Sequence, residues 1–330
     1  MAEWLYEAGI GEARAALIEQ GEIIEARIER DGEGPRVGAI VGAKLVEPRA
    51  GGKGAIVALD LPGAPLAALA ELPAATSIGA KMVVEVTRMA LRERGRDKPA
   101  RTGAADAGAS ISDGPDLRAR IAATGIPVID VRPTDADRLE QAGWSELIDH
   151  VRTGHWPFDG GALWVDATPA MVLIDIDGEG NAFTLAQAGA KAAARVIRCC
   201  DIGGSIGIDF PSLGGRTERL AVDALIHRCL PQPFERTAVN GFGLMQIIRR
   251  RDRPSLVEQV RFDPLATDAA LLLRRAERTV GTGPLQLAAR PAVVDYITAR
   301  PEWIVALQRR TGRAVGMVAD ADEKGGGHAL

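Results

Sequence analysis

The chain has 330 residues, 46% of them hydrophobic but only 4% aromatic, and 40 Lys and Arg against 44 Asp and Glu leave a net charge of −4. That length supports one large core or two to three small ones, and the mild acidity excludes a whole-chain nucleic-acid signature, so any RNA surface must come from local clustering. Cys199, Cys200 and Cys229 form no disulfide framework and no C-x-x-C pair, which excludes a zinc ribbon and reads as buried small hydrophobes in a reducing cytosol. The acidic N-terminus does not read as a signal peptide, and no apolar run approaches the roughly 20 residues of a membrane span. A soluble, cytoplasmic protein is expected.

Residues 3–30 read as a strand pair with a turn at Gln20-Gly21, and the polar stretch Asp31–Pro35 closes this unit. Residues 36–102 carry three runs of strand character, RVGAIVGAKLVEP, GKGAIVALD after a turn at Gly51-Gly52, and GAKMVVEVTRMAL. Their close spacing predicts a small antiparallel barrel. After it, Arg92, Arg94, Arg96, Lys98 and Arg101 make a basic edge, either a solvated loop or an RNA contact. Residues 103–114, rich in Gly, Ala and Ser, read as a flexible linker. LRARIAATGIPVIDVRP then gives a helix, a turn and a strand, and a further helix is expected over 134–153 from a cap at Thr134.

From 160 to 260 the pattern is α/β: strands ALWVDA and MVLIDID, an Ala-rich helix LAQAGAKAAARVIRCC, a buried strand GSIGIDF, a helix GRTERLAVDALIHRCL, and GFGLMQII as strand or helix. The last seventy residues read as a small α+β unit. It holds helices near 266–280 and 291–299, a strand in PLQLAAR, a strand or two after Trp303, and a disordered tail.

MVLID, helix and IGID form a βαβ-like unit, so the two strands should run parallel and end on one edge. Asp175 and Asp209 sit at those ends, where open α/β sheets build sites. Two hard oxygen ligands, water and a phosphate oxygen are what Mg²⁺ prefers, and Asp177 faces the same region two residues on. An ordinary turn or cap role explains the same residues. Arg216, Arg219, Arg249, Arg250, Arg251 and Arg253 read as a solvated face or, beside a metal site, as a phosphate clamp. His150, His155, His227 and His328 are scattered, and Gly203-Gly204 reads as a tight turn into the next strand.

GGALWVDATPAMVLIDID, RCCDIGGSIGIDF and FGLMQIIRRRDRPSL together resemble the catalytic part of the ribonuclease E/G family. Residues 36–102 are similar to that family's S1-type RNA-binding barrel, with a closing trace at Lys98 and Thr102. The resemblance implies an RNase H-like/DNase I-like core with an inserted S1-type (OB) barrel. Its parts would be a strand pair of the RNase H-like subdomain (1–35), the barrel (36–102), a linker with a truncated RNase H-like segment (103–155), a DNase I-like subdomain (156–260) and a small C-terminal subdomain (261–330). It further implies a Mg²⁺-dependent endoribonuclease acting on single-stranded RNA. Asp175 and Asp209 would hold the metal, Asp177 would stand where the family has a supporting Asn, and Lys98, Arg249, Arg251 and Arg253 would contact RNA.

Three departures shape the expectation. The stretch 103–150 is too short for the family's 5′-monophosphate pocket, so 5′-end sensing should be absent. The zinc-linking Cys-Pro-x-Cys is replaced by VEQVRFDPL after Leu256, so no zinc is expected and a homodimer would need other contacts. No Phe, Tyr or Trp occurs in 36–102, and Ile56 stands at an expected aromatic position. An RNA-binding protein that has lost catalysis, or a structural adaptor, is the alternative.

Overall fold

The computed structural model describes residues 1–49, 54–71, 76–323 and 326–330. The expected pair at the start is three antiparallel strands, β1 (Glu3–Ala8), β2 (Glu12–Glu19) and β3 (Glu22–Arg30). Gly11, in the left-handed region, turns β1 into β2, and a Cβ there would fall 2.3 Å from the Trp303 ring. Gln20 and Gly21 both take positive φ, the backbone of a type I′ hairpin turn.

The barrel follows: β4 (Ile40–Pro48), β5 (Ala55–Leu59), β6 (Leu66–Leu69), β7 (Lys81–Arg88), the short hairpin β8 (Leu91–Glu93) and β9 (Arg96–Lys98), then β10 (Ala100–Ala104). Five strands close in the order β10-β6-β5-β4-β7, the connectivity of a five-stranded OB barrel. Its core is wholly aliphatic, from Val41, Leu45, Val57, Leu59, Leu69, Val84, Val86 and several alanines. The turn expected at Gly51-Gly52 lies outside the described residues. Part of the expected linker belongs to the barrel instead, since β10 reaches Ala104 and Ser112 bridges to Ile40.

Next come α1 (Leu117–Ala122) and β11 (Val128–Asp130), which adds parallel to β1 and completes a four-stranded sheet, β11-β1-β2-β3. One face of that sheet packs Trp4, Ala15 and Leu17 on α1, and the other joins the main core. The helix expected from Thr134 starts later and is broken. Asp135 is taken up by a turn, accepting from the Arg132 amide at 2.9 Å. Asp137 instead caps α2 (Arg138–Gln141), and Gly143, with φ 92, separates it from α3 (Trp144–Thr153).

The half with the acidic strand ends is β12 (His155–Phe158), β13 (Gly161–Ala167), β14 (Val172–Gly178), α4 (Ala182–Cys199), β15 (Gly204–Asp209), α5 (Arg216–Cys229), β16 (Glu235–Arg236) and β17 (Leu244–Arg249). Its six strands order as β12-β13-β14-β15-β17-β16. Leu163, Val165, Val172, Ile174, Ile176, Ile206, Ile208, Met245 and Ile247 point to the face that α4 and α5 cover. Small residues let α4 lie close: a Cβ on Gly189 would fall 2.6 Å from Ile176. The opposite face of this sheet is open.

The chain ends with α6 (Leu256–Phe262), α7 (Pro264–Arg278), β18 (Leu285–Ala289), α8 (Pro291–Thr298), α9 (Pro301–Thr311), β19 (Val315–Ala319) and β20 (His328–Ala329). α6 starts at a capping box, Ser255 with Glu258, and the sequence reading missed it. Trp303 lies in α9, which Pro301 opens and the sequence did not announce, and the strands expected after it are β19 and β20. The tail is not wholly loose: β20 pairs antiparallel with β18, Ala329 opposite Leu287. Among the described residues no helix is long and apolar enough to cross a membrane.

Candidate active site

Strand alternation fixes which side chains reach the open face. In β14, Val172, Ile174 and Ile176 are buried while Leu173, Asp175 and Asp177 are exposed, as a period of two requires. β14 and β15 run parallel, as the helix between them predicts, and Asp175 is the direct register partner of Asp209. Parallel neighbours lie about 4.8 Å apart, so two carboxylates share one spot on the sheet.

The surroundings do not neutralise them. Burial pushes the Asp175 carboxyl above its usual range, and the charges of Asp209 and Asp177 push it further, while the Ile176 amide partly offsets them. Each charge acting on Asp175 is thus another carboxylate. Asp177 is partly occupied by its own turn, its Oδ1 accepting from the Gly178 amide at 2.9 Å. Among the described residues, no three or more His, Cys, Asp or Glu gather as a metal site by themselves.

The far wall comes from the loop into β17. Gly243, at φ 89, comes so close that a Cβ there would sit 2.5 Å from the Phe210 carbonyl and 3.7 Å from Asp209 Oδ1. Asn240 Oδ1 holds this turn by accepting from the amides of Phe242 and Leu244. The buried Asp223 of α5 ties it from below through Arg236 and the Val239 amide. Glu218 Oε2 accepts from the Gly214 amide at the start of α5, at 2.7 Å.

The arginine run is not where a clamp on this pair would have to be. β17 returns antiparallel to β15, so Arg249 lies opposite Gly204, while Leu244 lies opposite Asp209. Five residues of strand put roughly 16 Å between the two ends. Arg249 donates to the carbonyls of Ile202 (2.8 Å) and Ile197 (3.4 Å), closing the C-terminal end of α4. Arg251 pairs with Glu93 and Glu258, Lys98 pairs with Glu93, and Arg253, half-buried, pairs with Asp252 at 3.3 Å. Glu93 is a buried hub: burial opposes its charge, but Lys98 and Arg251 outweigh that and hold its carboxyl below the usual range. With the Met89 amide donating to the Asp252 carbonyl at 2.8 Å, these contacts pin the barrel's trailing hairpin to α6 and β17. Of the four residues expected to touch RNA, Lys98 and Arg251 are engaged at the hairpin and α6, Arg249 at the end of α4, and Arg253 with its chain neighbour Asp252. Cys199 and Cys200 are buried, as small hydrophobes would be, and Cys229 is exposed.

Sequence reasoning missed the rest of the open face. Trp164, Leu173, Ile248 and Phe242 are exposed there or on its rim, and Trp164 is the register partner of Asp175 from the other side. The alternation in ALWVDA carried that signal, because Leu163 and Val165 claim the buried face.

Comparison with known proteins falls on this same segment. Residues 126–252 match the model of the Ribonuclease E/G family. A chloroplastic ribonuclease E/G-like protein of Arabidopsis thaliana is 30% identical over 159 residues, 43% of this chain and 15% of that protein. Ribonuclease G of Escherichia coli K12 is 33% identical over 109 residues, 29% of this chain and 22% of its own length. Ribonuclease E of the same organism is 32% identical over 111 residues, 30% of this chain and 10% of its own. The chain thus spans less than a quarter of each of these curated relatives. The resemblance read from the motifs is shown for the segment that carries both aspartates.

Proposed function

We propose that the protein is a divalent-metal-dependent endoribonuclease, with Mg²⁺ as its ion, that cuts single-stranded RNA at the Asp175–Asp209 edge. One observation carries the reading: two carboxylates in register on adjacent parallel strands, with only like charges acting on Asp175. A pair so placed gains from an external cation. The donor set fits Mg²⁺, which takes one or two carboxylates and keeps waters and substrate phosphate for the remaining positions. When bound, the ion supplies Lewis-acid polarisation of the phosphoryl group and a lowered pKa for water.

In this reading Asp175 and Asp209 hold the ion, and Asp177 shapes the strand end through its bond to Gly178 while adding charge. Gly243 and the Asn240 turn set the wall against which the RNA strand lies. The barrel is the S1-type subdomain, the four-stranded sheet the RNase H-like part and the six-stranded sheet the DNase I-like part. The barrel's aromatic-free surface contacts RNA chiefly through charge, so its binding depends steeply on salt. No 5′-end sensing is part of this function. The alternative, an RNA-binding protein without catalysis, is favoured by Asp177, which puts a third carboxylate on the face.

The test uses a fluorescent A/U-rich single-stranded oligonucleotide with Mg²⁺. Wild-type protein cuts it internally, and Asp175→Asn and Asp209→Asn lose at least about 10²-fold of that rate. Binding without cutting by the wild type rejects the enzyme in favour of the alternative.

A further inference from the structure

The open face carries an aromatic that metal-dependent cutting does not by itself explain. His155, Trp164, Asp175, Asp209 and Leu244 are successive register partners across five strands, one unbroken row over the sheet. Trp164 is 50% exposed, and its ring lies 4.7 Å from that of His155, tilted by 45°. The indole thus has a second ring against it on one side and lies one strand, about 4.8 Å, from Asp175. That is within the span of a single nucleotide from any phosphate bound at the carboxylate pair. Residues 36–102, by contrast, contain no Phe, Tyr or Trp, so the barrel offers no ring on which a base can stack.

We infer that Trp164, braced by His155, is the platform on which an unpaired RNA base stacks beside the phosphate held at Asp175 and Asp209. The inference rests on the reading of that edge as the cutting site and adds a subsite to it. It places base binding on the catalytic sheet instead of the barrel. A stacked base must be out of the duplex, so the platform selects single-stranded substrate without reading sequence. A second copy of this chain is a poorer occupant. A two-fold contact through this face would set its row of carboxylates against the same row, with no cation on the row to separate them. A single-stranded phosphate chain with a divalent ion meets both the carboxylates and the ring.

The experiment measures binding of a labelled single-stranded RNA by anisotropy with Ca²⁺ in place of Mg²⁺, for wild type, Trp164→Phe and Trp164→Ala. A parallel set of RNAs carries one abasic site, moved position by position. Stacking on one ring is worth about 5- to 150-fold in affinity. Trp164→Ala should lose a factor in that range on intact RNA, and Trp164→Phe should keep most of the affinity. At one abasic position the wild type should fall to the level of Trp164→Ala, and the alanine variant should lose nothing more. Equal binding by wild type and Trp164→Ala overturns the platform, as does a loss of the same size on intact and on every abasic RNA. Wild type that cuts RNA while Trp164→Ala binds normally removes the platform and leaves the cutting site standing, whereas wild type that neither binds nor cuts removes both. A wild-type dimer that Trp164→Ala converts to monomer assigns the face to a second copy and rejects the proposal. A melting curve for each variant, matching wild type, shows that the fold is kept.

Discussion

Two surfaces of this molecule are rich in charge, and they are built in opposite ways. Where the first sheet meets α7, Glu7, Glu12 and Asp137 are each answered by arginine. Glu12 takes Arg30 at 2.7 Å and also Arg274, Glu7 takes Arg14 and Arg278, and Asp137 takes Arg278 at 3.1 Å. Arg30 goes on to the Gln259 carbonyl and the Thr267 hydroxyl. Most of these side chains are buried, which is tolerable only because each is paired. On the open face of the six-stranded sheet, Asp175 and Asp209 stand side by side with another acid for company. The lesson lies in the pairing: charges that fasten the fold are satisfied within it, and charges left unsatisfied are set for something from outside.

The largest effect should come from breaking the satisfied network. Glu12→Ala removes the carboxylate shared by two buried guanidinium groups and should cost about 3–5 kcal/mol of stability, read as a drop in the melting temperature. A loss below about 1 kcal/mol would show that the network is not what joins the first sheet to the C-terminal unit. Burial works against the Glu12 charge, but Arg274 and Arg30 outweigh it and hold its carboxyl low. Its stabilisation is therefore present above the ordinary carboxylate range and lost as pH falls through the lower folded value.

The open face should respond the other way. Asp209→Asn should lower the cutting rate by roughly 10²–10³-fold without lowering the melting temperature measured in EDTA. Relief of a solvent-screened repulsion is worth under about 1 kcal/mol, so the melt should rise by at most about 2 °C. A stability loss on this substitution would mark Asp209 as structural. A pH profile gives the third, finer test. The raised Asp175 carboxyl holds its proton to a higher pH than an isolated one. Cutting should therefore fall on acidification from above the ordinary carboxylate range, while the same group costs the folded state stability as pH rises through that window. Asp175→Asn should abolish both the cutting and that stability slope. The smallest effect is expected of Lys98→Ala. Glu93 keeps Arg251, and the lysine is partly exposed, so thermal melts should register under about 1 kcal/mol.

The carboxylate pair was legible because two signals agreed: the strand–helix–strand pattern fixed a parallel pair, and both acids ended their strands. The barrel was legible from strand spacing, although LAAL was too short and too alanine-rich to announce β6. The arginine run was expected beside the metal site, but strand direction could not be read locally. β17 runs back along β15, so the run emerges at the other end of the strand. β12 was hidden because His-Trp-Pro-Phe contains a proline, which a strand tolerates only at a sheet edge, and that is where it lies. Without β12, the ring pair of His155 and Trp164 had no reason to form. The buried network was beyond local reading, since Glu12 and Arg274 are 262 residues apart.

The central claim is that the unpaired acids serve a divalent ion in cutting RNA. The most direct measurement is the single-turnover cutting rate of an A/U-rich oligonucleotide as Mg²⁺ is titrated, for wild type, Asp175→Asn and Asp209→Asn. The account predicts a rate that rises and saturates with Mg²⁺ in the wild type, and no rise in either variant although both melt like the wild type. A wild-type rate indifferent to Mg²⁺, or a variant that cuts as fast as the wild type, would contradict it.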